Sequence, residues 1–190
     1  MTKKLILASG SPRRQDILKQ ISLPFSVRKP DIDESQIQIN DPKEKVQKLA
    51  KLKSEHTLLA DNNEVILSAD TVVSYKNNIF EKPIDKEDAF RMISMLSGSI
   101  HEVYTGVTIR SVKNEITLVE KTEVAFWPLS KTEIEWYVST EEPYDKAGSY
   151  GIQSMGAMFA KKIIGDYYNV VGLPVSKVAR ELRSFSIFPK

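Results

Sequence analysis

"LILASGSPRRQDILKQI", residues 5–21, changes character twice. Leu5 to Ala8 form an apolar run short enough for a buried strand, and Pro12 suits the first position of a helix with Ser11 as its N-cap. The chain therefore turns from strand into helix between residues 8 and 12. At such a turn Gly10 permits close approach of backbone to a ligand. The unpaired N–H groups and positive dipole end of the new helix face outward beside Arg13 and Arg14. This is an anion site in outline, and phosphate is the usual occupant of a strand, small-residue loop and helix start. Taken alone, a capped helix with solvated charges explains the same residues.

The remaining chain reads as a mixed α/β protein. Residues 25–28 suit a short strand. Asp41, Pro42 and Glu44 supply a cap, a first-turn proline and an acidic third position for a helix to about Leu59. "EVILSADTVVSY", 64–75, reads as a central strand. "DKEDAFRMISMLSG" places apolar residues at 89, 92, 93 and 96 and stops at Gly98. The runs 101–112 and 116–127 meet at Lys113 and Asn114 as a hairpin. Ser130 and Glu133 form a capping box for a helix to about Thr140. Two more strands are expected on either side of Gly165-Asp166, and Pro174 opens a last helix with apolar positions 175, 178, 179 and 182. The pattern predicts helices around a bent sheet of mixed, largely antiparallel strands.

The 190 residues suffice for one core and call for a single domain over 1–190. Lys and Arg total 27 against 25 Asp and Glu, a net charge of +2, so anion binding has to come from a local cluster. No basic stripe with interleaved aromatics accompanies the pI of 8.6, which argues against a nucleic-acid-binding module. Cysteine is absent, which excludes disulfides, thiolate zinc sites and a Cys nucleophile. With no apolar stretch of membrane-spanning length and no signal-type N-terminus, the expected location is the cytoplasm. The polar stretch from Arg28 to Asn40 is the candidate mobile loop.

Several charges lie where a fold pays to put them. Asp70 sits inside the apolar run "VILSADTVV", a costly position unless the carboxylate is paired, metal-bound or working. The apolar stripe Val46, Leu49, Ala50 continues onto Lys53, which turns an ammonium inward; snorkelling to the rim is the alternative. Lys82 follows in a loop after the strand of Asp70. Asp31, Asp33 and Glu34 gather in one loop, where carboxylates with substrate phosphates suit a hard cation such as Mg²⁺, and Glu34 with Asp70 is one such pair. Asp145 and Lys146 fall in a polar turn, and Gln153 offers an amide able to read a base edge. His56 and His101 lack partners at metal-ligand spacing and read as structural or surface residues.

These residues fall in "SGSPRR" (9–14), "SADT" (68–71), "EKP" (81–83), "VYTGV" (103–107), "DKAGSYGIQ" (145–153) and "GDYYNVVGLP" (165–174). In that order, over nearly the whole chain, they resemble the Maf family of nucleotide pyrophosphatases. The resemblance implies an elongated α/β fold shared with inosine triphosphatase-like (Ham1) enzymes, often as a homodimer. It also implies hydrolysis of a nucleoside triphosphate between the α and β phosphates with a divalent cation, Mg²⁺ or Mn²⁺. By position, Ser9, Ser11, Arg13 and Arg14 match the family's phosphate-binding loop. Lys53 and Lys82 match its catalytic lysines, Glu34 its acidic metal-site residue, and Asp70 its proton acceptor. Arg13, Thr71 and Gln153 fall on the positions linked to dTTP and UTP in one branch, which predicts pairing of Gln153 with the uracil or thymine edge. "EKP" stands where many relatives have Gly-Lys-Pro. The rival from another class is a nucleotide-sensing regulatory protein tied to septum formation, with little catalysis.

Overall fold

The computed structural model describes residues 3–34 and 37–190. Strand β1 (Lys4–Ala8) leads through residues 9–11 into helix α1 (Pro12–Gln20), and β2 (Phe25–Val27) returns. Helix α2 (Pro42–Glu55) precedes the long strand β3 (Glu64–Tyr75) and the short β4 (Asn78–Phe80). Helix α3 (Lys86–Leu96), the hairpin of β5 (Ile100–Arg110) and β6 (Glu115–Phe126), and α4 (Lys131–Val138) come next. Three 3₁₀ turns then lead to β7 (Ala160–Ile164), α5 (Tyr167–Val171) and α6 (Val175–Leu182).

Seven strands make one mixed sheet in the order β2-β1-β3-β5-β6-β7, with β4 paired to β3. The pairs β2–β1 and β1–β3 are parallel, whereas β3–β5, β5–β6 and β6–β7 are antiparallel. β3 is the seam between the two halves and is buried along nearly all of its length, as its run of Val, Ile and Leu requires. Below it, Leu7, Leu67 and Ile109 pack with α1 and α6 through Leu18, Val178 and Leu182. A second core gathers α3, α4 and an aromatic group around β5 and β6.

Helix α2 lies against the sheet over Gly106, which pairs with Asp70 across the β3–β5 ladder. A Cβ at Gly106 would sit 2.3 Å from the Val46 carbonyl oxygen, so only glycine admits the helix at this depth. That close crossing brings Lys53, two turns on from Val46, over the strand that carries Asp70.

Three expectations need correction. The segment after Gly165 is a helix, not a strand: Asp166 accepts from the Tyr168 N–H as its N-cap, and Gly172, at φ +120°, ends it. The β-rich letters of "YYNVV" lose to the cap and terminator that flank them. Helix α2 stops at Glu55 rather than near Leu59, with His56 as its C-cap. Strand β4 was not expected; it follows a two-residue turn in which Lys76 and Asn77 both take positive φ, 48° and 63°, the hairpin geometry that Asn tolerates. The capping box at Ser130 and Glu133 is formed as predicted. The described part of 28–40 contains no strand or α-helix.

Candidate active site

The ten residues that the resemblance places in the site line one cleft of about 980 Å³: Ser9, Ser11, Arg13, Arg14, Glu34, Lys53, Asp70, Thr71, Lys82 and Gln153. The cleft opens at the C-terminal end of β1, against the seam strand β3, where parallel pairing gives way to antiparallel. Of the three loop acids, Glu34 is the one that lines it.

The turn after β1 is built around two neighbouring arginines with different environments. Arg14 is buried. Its Nε donates to the Gly172 carbonyl at 2.8 Å, Nη1 to Ser9 Oγ at 3.0 Å and Nη2 to Thr71 Oγ1 at 3.1 Å. Burial pulls this guanidinium below its ordinary pKa, with Asp70 acting against the shift. Arg13 stays accessible and reaches across the cleft, where Nη1 meets Asp145 Oδ2 at 2.7 Å and Nη2 donates to the Asp145 carbonyl at 3.3 Å. Ser11 occupies the N-cap of α1, yet its side chain makes no capping bond. Ser9 Oγ accepts from both Arg14 and the Ser11 N–H, the latter at 3.2 Å. With both lone pairs taken, the Ser9 hydroxyl retains its proton for an anionic oxygen.

On the sheet side, Lys53 Nζ lies 2.6 Å from Asp70 Oδ1 and 3.0 Å from Glu34 Oε2. Asp70 and the Lys53 side chain are both only about a tenth exposed. Burial raises the Asp70 carboxyl above the usual aspartate range, and the Lys53 ammonium opposes this. The inward lysine is therefore no snorkelling residue: it is the counter-ion of the strand carboxylate. Lys82 lines the cleft and is exposed. The glutamate of "EKP" also lines the cleft, with its carboxylate paired to Lys45 Nζ at 2.8 Å.

The facing wall is the 143–154 segment. Asp145 holds Arg13 and, through Oδ1, Lys146 at 2.7 Å, which keeps its carboxyl below the usual range against the effect of its burial. Gln153 is exposed at the rim. Tyr150 lines the cleft, and its hydroxyl lies 2.8 Å from Nε2 of the buried His101. His101 is thus structural, as expected, with burial lowering its pKa to about 4; His56 is exposed and its Nδ1 lies 3.0 Å from the Leu52 carbonyl.

Four contributors were not singled out from the sequence. Lys29 lines the cleft and lays its chain against Gly10, where a Cβ would meet its Cε at 3.1 Å. Tyr150 and the buried Thr105 and Asn169 also shape the site. Only Asn169 left a trace, as an amide inside the apolar letters of "YYNVVG".

Against known proteins, residues 4–185 match the family model described as Maf-like protein. A dTTP/UTP pyrophosphatase of Bacillus cereus (strain G9842) is 45% identical over 185 residues, covering 97% of each chain. The enzyme so named from Bacillus anthracis (strain CDC 684 / NRRL 3495) is 45% identical over the same length. That of Bacillus cytotoxicus (strain DSM 22905 / CIP 110041 / 391-98 / NVH 391-98) is 46% identical over 183 residues, covering 96% of each. The match begins with β1, takes in every wall of the cleft and ends in the turn after α6: the chain belongs to the Maf-like protein family.

Proposed function

We propose that this chain hydrolyses dTTP and UTP between the α and β phosphates, releasing pyrophosphate and the nucleoside monophosphate, as a house-cleaning activity on the nucleotide pool. The observation that carries the reading is the convergence of Arg13, Lys53, Lys82 and the buried Asp70 on one cleft beside the Ser9–Arg14 turn. Relatives named dTTP/UTP pyrophosphatase over nearly the same length support the choice of substrate.

A phosphoanhydride resists attack because its own oxygens carry negative charge, so positioning and charge neutralisation do most of the work. Ser9 O–H and the accessible Arg13 hold phosphate oxygens; substrate competes with Asp145 for that guanidinium. Lys82 and Lys53 balance charge that builds on the departing pyrophosphate. Asp70 accepts the proton of the attacking water, the role to which a raised carboxyl pKa is suited. Gln153 presents an acceptor and a donor at the rim, the complement of the N3–H and O4 edge shared by uracil and thymine.

Glu34 and Asp70 suit a divalent cation, Mg²⁺ or Mn²⁺. Both carboxylates already approach a single positive atom, Lys53 Nζ, and hard oxygen donors match either ion. Among the described residues no group of three or more His, Cys, Asp or Glu could hold a metal, so substrate phosphates would complete the shell. Bound there, the ion would screen the polyphosphate and lower the pKa of a coordinated water.

With this reading go a homodimer, a cytoplasmic location, and no nucleic-acid or membrane partner. No helix among the described residues is long and apolar enough to cross a membrane. The test is pyrophosphate release from dTTP, UTP, CTP and purine triphosphates, with and without Mg²⁺ or Mn²⁺. Preference for dTTP and UTP that depends on the cation is expected; equal rates across bases would refute the pyrimidine assignment.

A further inference from the structure

Thr71 on β3 and Thr105 on β5 stand opposite each other in the antiparallel ladder, their Oγ1 atoms 2.9 Å apart. Distance alone leaves open which hydroxyl donates, but the surroundings of Thr105 decide it. Thr105 is fully buried, and its Oγ1 lies 3.1 Å from the Asn169 carbonyl oxygen, which also receives the Gly172 N–H at 3.0 Å. A carbonyl oxygen only accepts, so the single Thr105 proton goes to Asn169; any other placement sets lone pairs against each other where water cannot enter. Thr71 must then spend its own proton on Thr105. One Thr71 lone pair is taken by Arg14 Nη2. What remains at this cleft-lining residue is one lone pair and no proton.

We propose that Thr105 is a positioning residue which makes Thr71 an acceptor only, so that Thr71 recognises an N–H or O–H donor on the nucleoside and turns away phosphate oxygens. The chain of donation runs one way: Arg14 N–H to Thr71, Thr71 O–H to Thr105, Thr105 O–H to the Asn169 carbonyl. On the other side of the same guanidinium, Ser9 has both lone pairs filled and offers its proton. Arg14 therefore divides the cleft floor into a donor for the anionic part of the substrate and an acceptor for the uncharged part. With the imide N3–H taken by Gln153 in the proposed function, the partner of Thr71 is a sugar hydroxyl. This inference rests on a nucleotide occupying the cleft, as in the proposed function, but not on its being hydrolysed.

The test is calorimetric binding of three monophosphates: dTMP, its N3-methyl derivative, which lacks the imide proton, and its 3′-deoxy derivative, which lacks the sugar hydroxyl. On the wild-type protein the 3′-deoxy derivative is expected to bind about tenfold more weakly than dTMP through loss of the Thr71 contact, while the N3-methyl derivative is weakened through Gln153 and serves as the control. Thr105→Val should weaken dTMP and its N3-methyl derivative about tenfold while leaving the 3′-deoxy derivative unchanged, and Thr105→Ser should restore dTMP binding. Thr71→Val, which removes the acceptor itself, should reproduce the selective loss if Thr105→Val does not fold. Equal losses for all three ligands in Thr105→Val, no loss with the 3′-deoxy derivative on the wild type, or no binding of dTMP would overturn the proposal. Because binding needs no turnover, a protein that binds selectively without releasing pyrophosphate would refute the hydrolase reading alone.

Discussion

The two walls of the cleft are held by opposite physics. The wall of β1, α1 and β3 is fixed by buried polar groups: Arg14 ties Ser9, Thr71 and Gly172 together, and Lys53 neutralises Asp70. The wall of 143–154 rests on an aromatic box. His101 packs edge-on to Phe126 at 4.8 Å and to Tyr150 at 5.4 Å; Phe126 also meets Tyr150 and Phe159, and Phe159 meets Tyr137. On one side a charge lost leaves its partner buried and unpaired, a penalty of several kcal/mol. On the other, area and shape hold the wall, and burial keeps the His101 ring neutral. In the proposed function the chemistry falls to the charged wall, and reading of the base edge to Gln153 at the rim of the other.

The contrast can be broken from either side. The largest effect is expected at the charged wall: Asp70→Asn should cut turnover about 10²- to 10⁴-fold, read as pyrophosphate release, with the fold retained. Near-normal turnover would remove Asp70 from the proton-accepting role. At the apolar wall Phe126→Ala should lower unfolding free energy by about 3 to 5 kcal/mol in denaturant titration, because its ring touches three others. A loss below about 1 kcal/mol would show that the box does not carry the wall.

The pH response should separate the walls as well. His101 titrates near its model-peptide value of about 6.5 when unfolded but at about 4 when folded. Between those values the unfolded chain binds the extra proton, so stability rises with pH across this window and is lost as pH falls through it. The full effect is on the order of 3 kcal/mol, and His101→Gln should flatten that part of the stability–pH curve. The smallest change is expected where the walls meet: Asp145→Asn should cost less than about 1 kcal/mol of stability, since the Arg13 pair is half exposed. By freeing Arg13 it should lower the KM for triphosphate. An unchanged KM would mean that Asp145 does not compete with substrate.

Local signals made much of the frame legible. Pro12 and Pro42, the caps at Asp41 and Ser130, and the apolar run of β3 each act within a turn or two of sequence, and each element formed there. β4 and α5 were missed because a three-residue strand has almost no pattern of its own and because "YYNVV" looks extended until Asp166 and Gly172 are weighed. The ten cleft residues were legible chiefly through the order of the motifs that carry them. Asp70 and Lys53 also announced themselves as charges in apolar surroundings. Thr105 and the His101–Tyr150 pair gave no such sign. A threonine in a strand is ordinary, and its role exists only once the β3–β5 register sets it opposite Thr71.

The central claim is that water attacks the α phosphorus of dTTP or UTP in this cleft. Hydrolysis of dTTP in water enriched in oxygen-18, followed by mass spectrometry of both products, tests it most directly. The account predicts one heavy oxygen in the monophosphate and none in pyrophosphate. Label in pyrophosphate, or release of orthophosphate in its place, would contradict it.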